Sequence, residues 1–267
     1  DEIKVILQKN SPNHSLEPES MELDVVYEDD DLAVINKQAG LVVHPGSGNY
    51  SGTLVNGLLH RFDDLAMKQD RTRPGLVHRI DKNTSGLLVI AKNENAMTHL
   101  AEQFFEKTTK RKYWALVWGD MQEEQGTINV PIGRDQRFRK KMATFPEEEY
   151  GKESVTHYKV LERFGYTTLV ECELETGRTH QIRVHMKHIN APLFNDEVYG
   201  GDRIVKGTVY SKYKQFVENC FQLMPRQALH AKSLGFVHPK TAEEMYFDSE
   251  LPEDFQAVLE KWRTYYQ

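Results

Sequence analysis

Two polar segments of this chain hold the residue types that nucleophilic attack and proton transfer require. The first is Arg73-Pro74-Gly75-Leu76-Val77-His78-Arg79-Ile80-Asp81-Lys82-Asn83-Thr84-Ser85-Gly86, which runs straight into the apolar stretch Leu87 to Lys92. A loop anchored by a rigid strand is a place where reactive groups are set accurately. Asp81 offers a carboxylate to such chemistry, with Arg79 two positions before it and His78 beside that; taken alone, an Arg-x-Asp pair is more often a local salt bridge. The second segment is Thr176-Gly177-Arg178-Thr179-His180-Gln181-Ile182-Arg183-Val184-His185-Met186. Thr179 is placed to cap a helix, and Ile182, Met186 and Ile189 fall at i, i+4 and i+7 on a core-facing stripe. Arg183 lies one step around from that stripe, where a guanidinium either snorkels to solvent or reaches a buried carboxylate.

Other chemistries find weaker support. His185 and His188, at i and i+3, can present imidazoles from one helical face, but no third ligand with metal-site spacing follows, so no metal is expected. A metal-dependent hydrolase built on that pair is the weakest reading considered. No Gly-x-Ser-x-Gly elbow occurs, and Gly46 and Gly48 are followed by no phosphate-cradling Gly-Lys signal. Cys172 and Cys220 stand far apart in no Cys-x-x-Cys spacing, which reads as two buried thiols rather than a disulfide framework or a zinc ribbon.

The elements that must position these groups follow from pattern. Val25 to Tyr27 and Leu32 to Ile35 read as strands joined by the turn Glu28 to Asp31, and Leu87 to Lys92 as a central strand. Asn93 caps a helix whose stripe Met97, Leu100, Ala101, Phe104 and Phe105 reads as core packing. In the strand Tyr113 to Trp118, alternation puts Tyr113, Ala115 and Val117 on one side. Further strands are expected at Thr127 to Ile132, Val155 to Leu161, Leu169 to Leu174, Ser233 to Val237 and Met245 to Asp248. Helices are expected at Thr179 to Ile189, Tyr210 to Leu223 and Asp254 to Tyr265. Many strands with few regularly interleaved helices predict an α+β fold with a mostly antiparallel mixed sheet and flanking helices.

Charge is unevenly spread. Residues 17 to 31 carry eight acids and no Lys or Arg, so setting those eight negative charges aside changes the formal charge from −6 to +2. Two basic clusters stand out in the remainder: Arg134, Arg137, Arg139, Lys140 and Lys141; and Lys107, Lys110, Arg111 and Lys112. They read either as solvated charge runs or as footprints for a polyanion. No apolar run approaches bilayer-spanning length, so no membrane association and a cytoplasmic location are expected.

In order along the chain, Asn36 to Gly46, Gly52 to Asn56, His78 to Gly86, Lys112 to Val117, Gly177 to Met186, Asp196 to Gly200 and Arg226 to Ala231 resemble the ribosomal large-subunit pseudouridine synthases of the RluA/RluD type. The resemblance covers about Val25 to Asp254 and implies the pseudouridine-synthase catalytic fold over residues 21–267. It also implies an RNA partner and isomerisation of uridine to pseudouridine without cofactor or metal. By that resemblance Asp81 is the nucleophile, Tyr113 the ring packed on the target base and a second candidate for accepting a proton, and Arg183 the basic partner expected to keep the carboxylate ionised. Arg79 matches a residue that fills the gap left by an extruded base, and Ile182 matches an apolar pocket residue. His78 and Arg178 join these as substrate contacts. Extrusion costs a few kcal/mol of unstacking, which stacking and insertion would offset.

Such enzymes often carry an N-terminal S4 RNA-binding domain, and residues 1–20 read as its remnant: a last strand at Asp1 to Val5 and a linker from residue 8. Departures from the pattern include Gln38 and Glu250 where Pro is usual, and Asn190 and Asn195 where Gly is usual. Asn tolerates left-handed backbone better than other side chains, so no change of fold is expected. A monomer is expected. The competing readings are a catalytically silent RNA-binding or ribosome-assembly factor and a transfer-RNA pseudouridine synthase, the first separated by a modification assay on transcribed ribosomal RNA. If the cluster from Arg134 to Lys141 docks phosphates, RNA affinity falls steeply with salt, and neutralising Arg137, Arg139 or Lys140 lowers the log-log slope by about one each. Titrations from low to high salt check this, and a flat response would count against electrostatic docking there.

Overall fold

The computed structural model describes residues 16–46, 48–62, 65–66, 73–139, 141–146, 150–208 and 210–267; the expected strand at Asp1 to Val5 lies outside them. Its frame is a nine-stranded sheet in the order β1-β2-β3-β10-β4-β9-β8-β5, with β11 paired to β10. These are β1 (Val25–Glu28), β2 (Leu32–Lys37), β3 (Ser85–Ala91), β4 (Lys110–Trp118), β5 (Gln125–Asn129), β8 (Val155–Arg163), β9 (Thr167–Leu174), β10 (Leu229–Val237) and β11 (Glu244–Asp248). A separate hairpin joins β6 (Ile132–Arg134) to β7 (Met142–Thr144). Among the described residues only β3 and β10 run parallel; every other strand pairing there is antiparallel. The α+β expectation is met.

Period-2 alternation divides the core. Ala33 and Ile35 of β2, Leu88 and Ile90 of β3, and Tyr113, Ala115 and Val117 of β4 share one face. Leu54 and Leu58 of α1 (Leu54–Arg61) and Ile182 and Met186 of α3 (Gln181–His188) cover it. The alternate residues Leu32, Val34, Leu87 and Val89 pack on Ala96, Met97 and Leu100 of α2 (Glu94–Phe105). Farther along the same side, Leu116 and Trp118 meet Val217 of α4 (Ser211–Leu223) and Phe255, Val258 and Trp262 of α5 (Glu253–Tyr266). Trp118 and Trp262 cross edge-to-face with centroids 6.2 Å apart. Each such side chain contributes about 1.5 to 3 kcal/mol by leaving water. Both faces of β3 are covered, which is why its sequence is continuously apolar.

Several expected boundaries shift for identifiable reasons. Thr127 to Ile132 is not one strand: Pro131 cannot donate to a ladder, and the chain breaks into β5 and β6 there. Thr179 does not cap α3; His180 does so in left-handed backbone at φ 56°, and the helix spans Gln181–His188. Asn93 caps α2 as expected, its side chain accepting from the Ala96 amide. Phe105, expected on the core stripe, is 86% exposed. Helix α1 and strand β7 went unread because, at eight and three residues, each is shorter than the window over which periodicity stands out. Asn190 and Asn195 sit at φ 60° and 55°, the conformation their Gly-like positions demand. Cys172 and Cys220 are buried free thiols.

Strand β10 changes partner along its length. His230 and Ala231 pair with β3, whereas Ser233 to Val237 pair with β11. The crossing is tight: Gly86 has φ +110°, and a Cβ there would lie 2.2 Å from the Ala231 carbonyl oxygen. Gly86→Ala is expected to destabilise the fold by about 3 kcal/mol or more through strain and displacement of β10; urea denaturation checks it, and a change below about 1 kcal/mol would contradict the tight crossing.

Beside this crossing, buried His230 bridges Ser85 Oγ (2.9 Å, Nδ1) and Ser249 Oγ (2.9 Å, Nε2). Burial, with help from the Arg226 and Lys232 charges, pushes its pKa from 6.5 down to about 4. The unfolded chain therefore binds a proton that the native state refuses as pH falls below 6.5, so this contribution is full above that value and is lost toward pH 4. The loss is expected to amount to about 1.4 kcal/mol per pH unit in that window. Unfolding measured at pH 7 and pH 5 checks this, with a flatter dependence expected for His230→Gln.

Candidate active site

The sheet brings the two polar segments together. Asp81, on the loop entering β3, and Arg183, on the first turn of α3, meet at 3.1 Å between Oδ2 and a terminal guanidinium nitrogen. The open question about Arg183 is thereby answered: it is buried and reaches two carboxylates rather than solvent. Its Nε and second terminal nitrogen donate to Asp196 Oδ2 at 2.7 Å and Oδ1 at 2.9 Å, a bidentate pair. Asp196 Oδ1 also accepts from the amides of Val198 and Tyr199. Burial opposes the Arg183 charge, but its hydrogen bonds and attraction to Asp196 and then Asp81 outweigh that cost and hold its pKa above the ordinary value.

Local sequence sets the start of α3. Gln181 Oε1 accepts from Thr176 Oγ1 (2.7 Å) and the Arg178 amide (3.0 Å), while its Nε2 donates to the Val155 carbonyl (2.9 Å). The turn this fixes places His180 with Nδ1 2.8 Å from Tyr199 Oη and Nε2 3.9 Å from Asp81 Oδ2. Burial lowers the His180 pKa against the attraction of Asp81. Tyr199 lies under the Arg183 guanidinium, 5.1 Å from ring centroid to carbon, and its Oη accepts from the Met142 amide.

Asp81 borders two adjoining cavities, and Arg79, His180 and Arg183 border both with it. One, of about 290 Å³, also has His78, Tyr113, Arg178 and Ile182 in its wall, so all seven catalytic and substrate-contact residues read from sequence converge there. The other, of about 390 Å³, is flanked by His44 and Asn83. Arg79 is exposed and donates to His44 Nε2 at 2.7 Å. Arg178 donates from Nε to the Glu153 carbonyl. Tyr113 is buried, and burial, with Asp81 adding and Arg111 opposing, raises its phenol pKa; the neutral ring suits stacking and hydrogen-bond donation better than service as a resting base.

His78 is spoken for on one side. Its Nε2 accepts from the Val89 amide at 3.0 Å, and its ring stacks on Phe104 with centroids 4.4 Å apart. Burial, reinforced by the Arg111 charge, drives its pKa to about 3, so it meets a ligand as a neutral imidazole. Phe104 thus belongs to the pocket wall rather than wholly to the core. Arg111, grouped with Lys107, Lys110 and Lys112 in one basic run, is separated from them by strand alternation and buried in the same wall.

Two cations secure the chain beyond Asp81. Buried Lys37 donates to the carbonyls of Gln38 (2.8 Å), Leu41 (2.9 Å) and Lys82 (3.0 Å). Arg226 donates to the Asn83 carbonyl at 3.1 Å while gripping Asp254 through Nε and a terminal nitrogen. Burial and repulsion from Arg226 bring the Lys37 ammonium down to about 7, against the attraction of Asp81.

The other basic cluster lies on the β6–β7 hairpin. Arg134, Arg137 and Arg139 are exposed, Lys141 stands 5.6 Å from the centroid of exposed Phe138, and Lys140 lies outside the described residues. The Met142–Tyr199 hydrogen bond ties this hairpin to the site. His185 and His188 do not pair: His185 spends both ring nitrogens on Thr156 Oγ1 and the Val130 carbonyl, and His188 contacts Thr144. Among the described residues one trio, Asp29, Asp31 and His238, gathers potential metal ligands within 4.8 Å. There His238 Nδ1 accepts from two backbone amides and Nε2 lies 2.8 Å from Asp29, so the trio satisfies itself.

Sequence reasoning did not single out Asp196, His180, Lys37 or Arg111 for the site. The signal for Asp196 was its motif Asp196 to Gly200; for Arg111 it was the period-2 relation to Tyr113.

Comparison with known proteins agrees with this geometry. The family profile described as RNA pseudouridylate synthase matches residues 31–188. An uncharacterised RNA pseudouridine synthase of Chlorobaculum parvum is 48% identical over 95% of this chain and 78% of its own length. A ribosomal large subunit pseudouridine synthase D of Nitrosomonas europaea is 43% identical over 99% of this chain and 72% of its own. The solved structure of human RNA pseudouridylate synthase domain containing 1 superimposes with a TM-score of 0.66 at 28% identity, covering 91% of this chain and 89% of that one. This chain belongs to the RNA pseudouridine synthase family, of the RluA/RluD type.

Proposed function

We propose that this enzyme isomerises specific uridines of large-subunit ribosomal RNA, with the Asp81 carboxylate attacking a uridine turned out of its stack. The observation that carries the reading is the Asp81–Arg183 pair at 3.1 Å on a cavity walled by Tyr113 and Ile182. Among the described residues no helix is long and apolar enough to cross a membrane, and a cytoplasmic location goes with the proposed ribosomal RNA target. The ribosomal target is supported by the relatives named large subunit pseudouridine synthase D.

In this reading each side chain has a physical task. Arg183, fixed by Asp196, holds the reactive oxygen in one direction and favours its charge. Tyr113 and Ile182 give the base an apolar slot with a ring to stack on. Arg79, exposed at the mouth, enters the duplex where the uridine left, and Arg178 meets the backbone there. The hairpin bearing Arg134, Arg137, Arg139, Lys140 and Lys141 supplies sequence-independent attraction to phosphates.

Asp81→Asn is expected to abolish pseudouridine formation, by at least about 10⁴-fold as for loss of a nucleophile, while melting temperature and RNA affinity hold. Quantification of pseudouridine in transcribed ribosomal RNA, beside thermal melting and filter binding, checks this. Surviving activity would end the nucleophile assignment, and activity on transfer RNA alone would move the target class.

A further inference from the structure

Arg111 is anomalous among the cations of this site. Its residue is only 6% exposed, yet among the described residues it has no carboxylate partner. Its buried Nε has no hydrogen-bond partner at all. One terminal nitrogen makes contacts of 3.4 and 3.5 Å to the carbonyls of Leu174 and Glu175, longer than an ordinary N–H···O bond. The guanidinium lies over the Phe104 ring at 5.3 Å. At Gly177 a Cβ would come within 3.0 Å of the other terminal nitrogen, so the glycine leaves that nitrogen its room. Burying a cation without a counter-charge is costly and calls for an anionic or strongly accepting ligand.

The position says which ligand. Arg111 and Tyr113 are two apart on β4 and so project to the same face, into the cavity that Asp81 borders. Phosphates of an entering strand find exposed guanidiniums at Arg79 and hydrogen-bonding capacity at Arg178; a buried guanidinium beside Tyr113 faces what enters deepest, the base. Resting on the reading above, we propose that Arg111 is a further catalytic residue, hydrogen-bonding a uracil carbonyl oxygen and taking up the negative charge that isomerisation drives onto the ring.

That charge arises by either route. If an Asp81 oxygen bonds C1′, the N1–C1′ bond breaks and its electron pair stays with the base, shared among N1, O2 and O4. If the oxygen bonds C6, the C5–C6 π pair moves toward C4 and builds charge on O4, and the N1–C1′ bond then breaks with its electron pair kept by N1. In both cases C5 finally bonds C1′, the bond to Asp81 breaks with its pair returning to the carboxylate, C5 loses a proton and N1 gains one from solvent. The exchange is redox-neutral. A preorganised donor aimed at the developing oxyanion lowers the barrier without strengthening ground-state RNA binding.

The test is single-turnover pseudouridine formation on transcribed large-subunit ribosomal RNA at saturating enzyme, with RNA affinity measured across salt for the same proteins. Arg111→Met, which keeps volume and removes charge, is expected to react about 100-fold more slowly, as on loss of one oxyanion donor. Its dissociation constant and salt slope should stay within about twofold of wild type, since no phosphate contact is lost. Arg111→Lys should recover part of the rate. A saturating rate for Arg111→Met within about threefold of wild type would overturn the proposal. So would weakened binding with the salt slope reduced by about one and an unchanged saturating rate, the mark of a phosphate contact. Should Arg111→Met lose its cooperative melt, Arg111→Lys decides: a rate about tenfold down at saturation supports the role, and an unchanged rate overturns it. Wild-type protein that leaves every uridine unmodified overturns the functional reading and this proposal together, whereas active wild type with an equally active variant overturns this proposal alone.

Discussion

The guanidinium of Arg183 lies between two carboxylates, and the site depends on how unequally they share it. Asp196 takes two of its donors in a fork and adds two backbone amides, so its four hydrogen bonds repay the burial of a side chain with no solvent exposure. Asp81 receives one contact from the remaining terminal nitrogen, and among the described residues its other oxygen takes no side-chain hydrogen bond in the cavity wall. The formal charge of the trio is one negative, and it sits on the member that faces the cavity. Asp196 neutralises and locks; Arg183 transmits that rigidity; the Asp81 carboxylate is left directed by a single guanidinium hydrogen bond.

The sheet exists, for this purpose, to hold the carriers of those groups still. Asp81 precedes β3, buried on both faces and paired on both edges, and the chain immediately after it is pinned by Lys37 and Arg226 through the carbonyls of Lys82 and Asn83. Backbone carbonyls are the right target for such clamps because they fix the loop without drawing on the charge of Asp81. From the other side, β9 delivers the turn into α3, and Gln181 fastens that turn to β8. A displacement of about 1 Å between the two segments would cost rate heavily, since catalysis by orientation tolerates little slack.

The electrostatics of the pocket are asymmetric. The histidines beside it, His78 and His180, are held toward their neutral forms by burial. Arg183 is matched by acids, whereas among the described residues Arg111 is not, so the cavity wall carries positive character at Arg111 and a carboxylate at Asp81. A neutral base entering between them is polarised along that axis.

Local pattern was enough for much of this. The continuous apolarity of Leu87 to Ala91, the alternation through Tyr113, Ala115 and Val117, and the Asn93 cap each depend on near neighbours, and each was legible. The order of motifs made Asp81, Tyr113 and Arg183 candidates before their distances were known. Pattern failed where a long-range partner decides: Arg111 reads as one charge in a solvated run until β4 is seated between β9 and β10. Asp196, far along the chain from Asp81, lies in a recognisable motif, but nothing local says that it grips Arg183. Sequence alone therefore determined which groups are present and on which side of each element they project, because periodicity is a property of the backbone. Only the tertiary structure decided which charges are paired, which are buried and which remains unmatched, because desolvation and Coulomb attraction depend on neighbours brought together by folding.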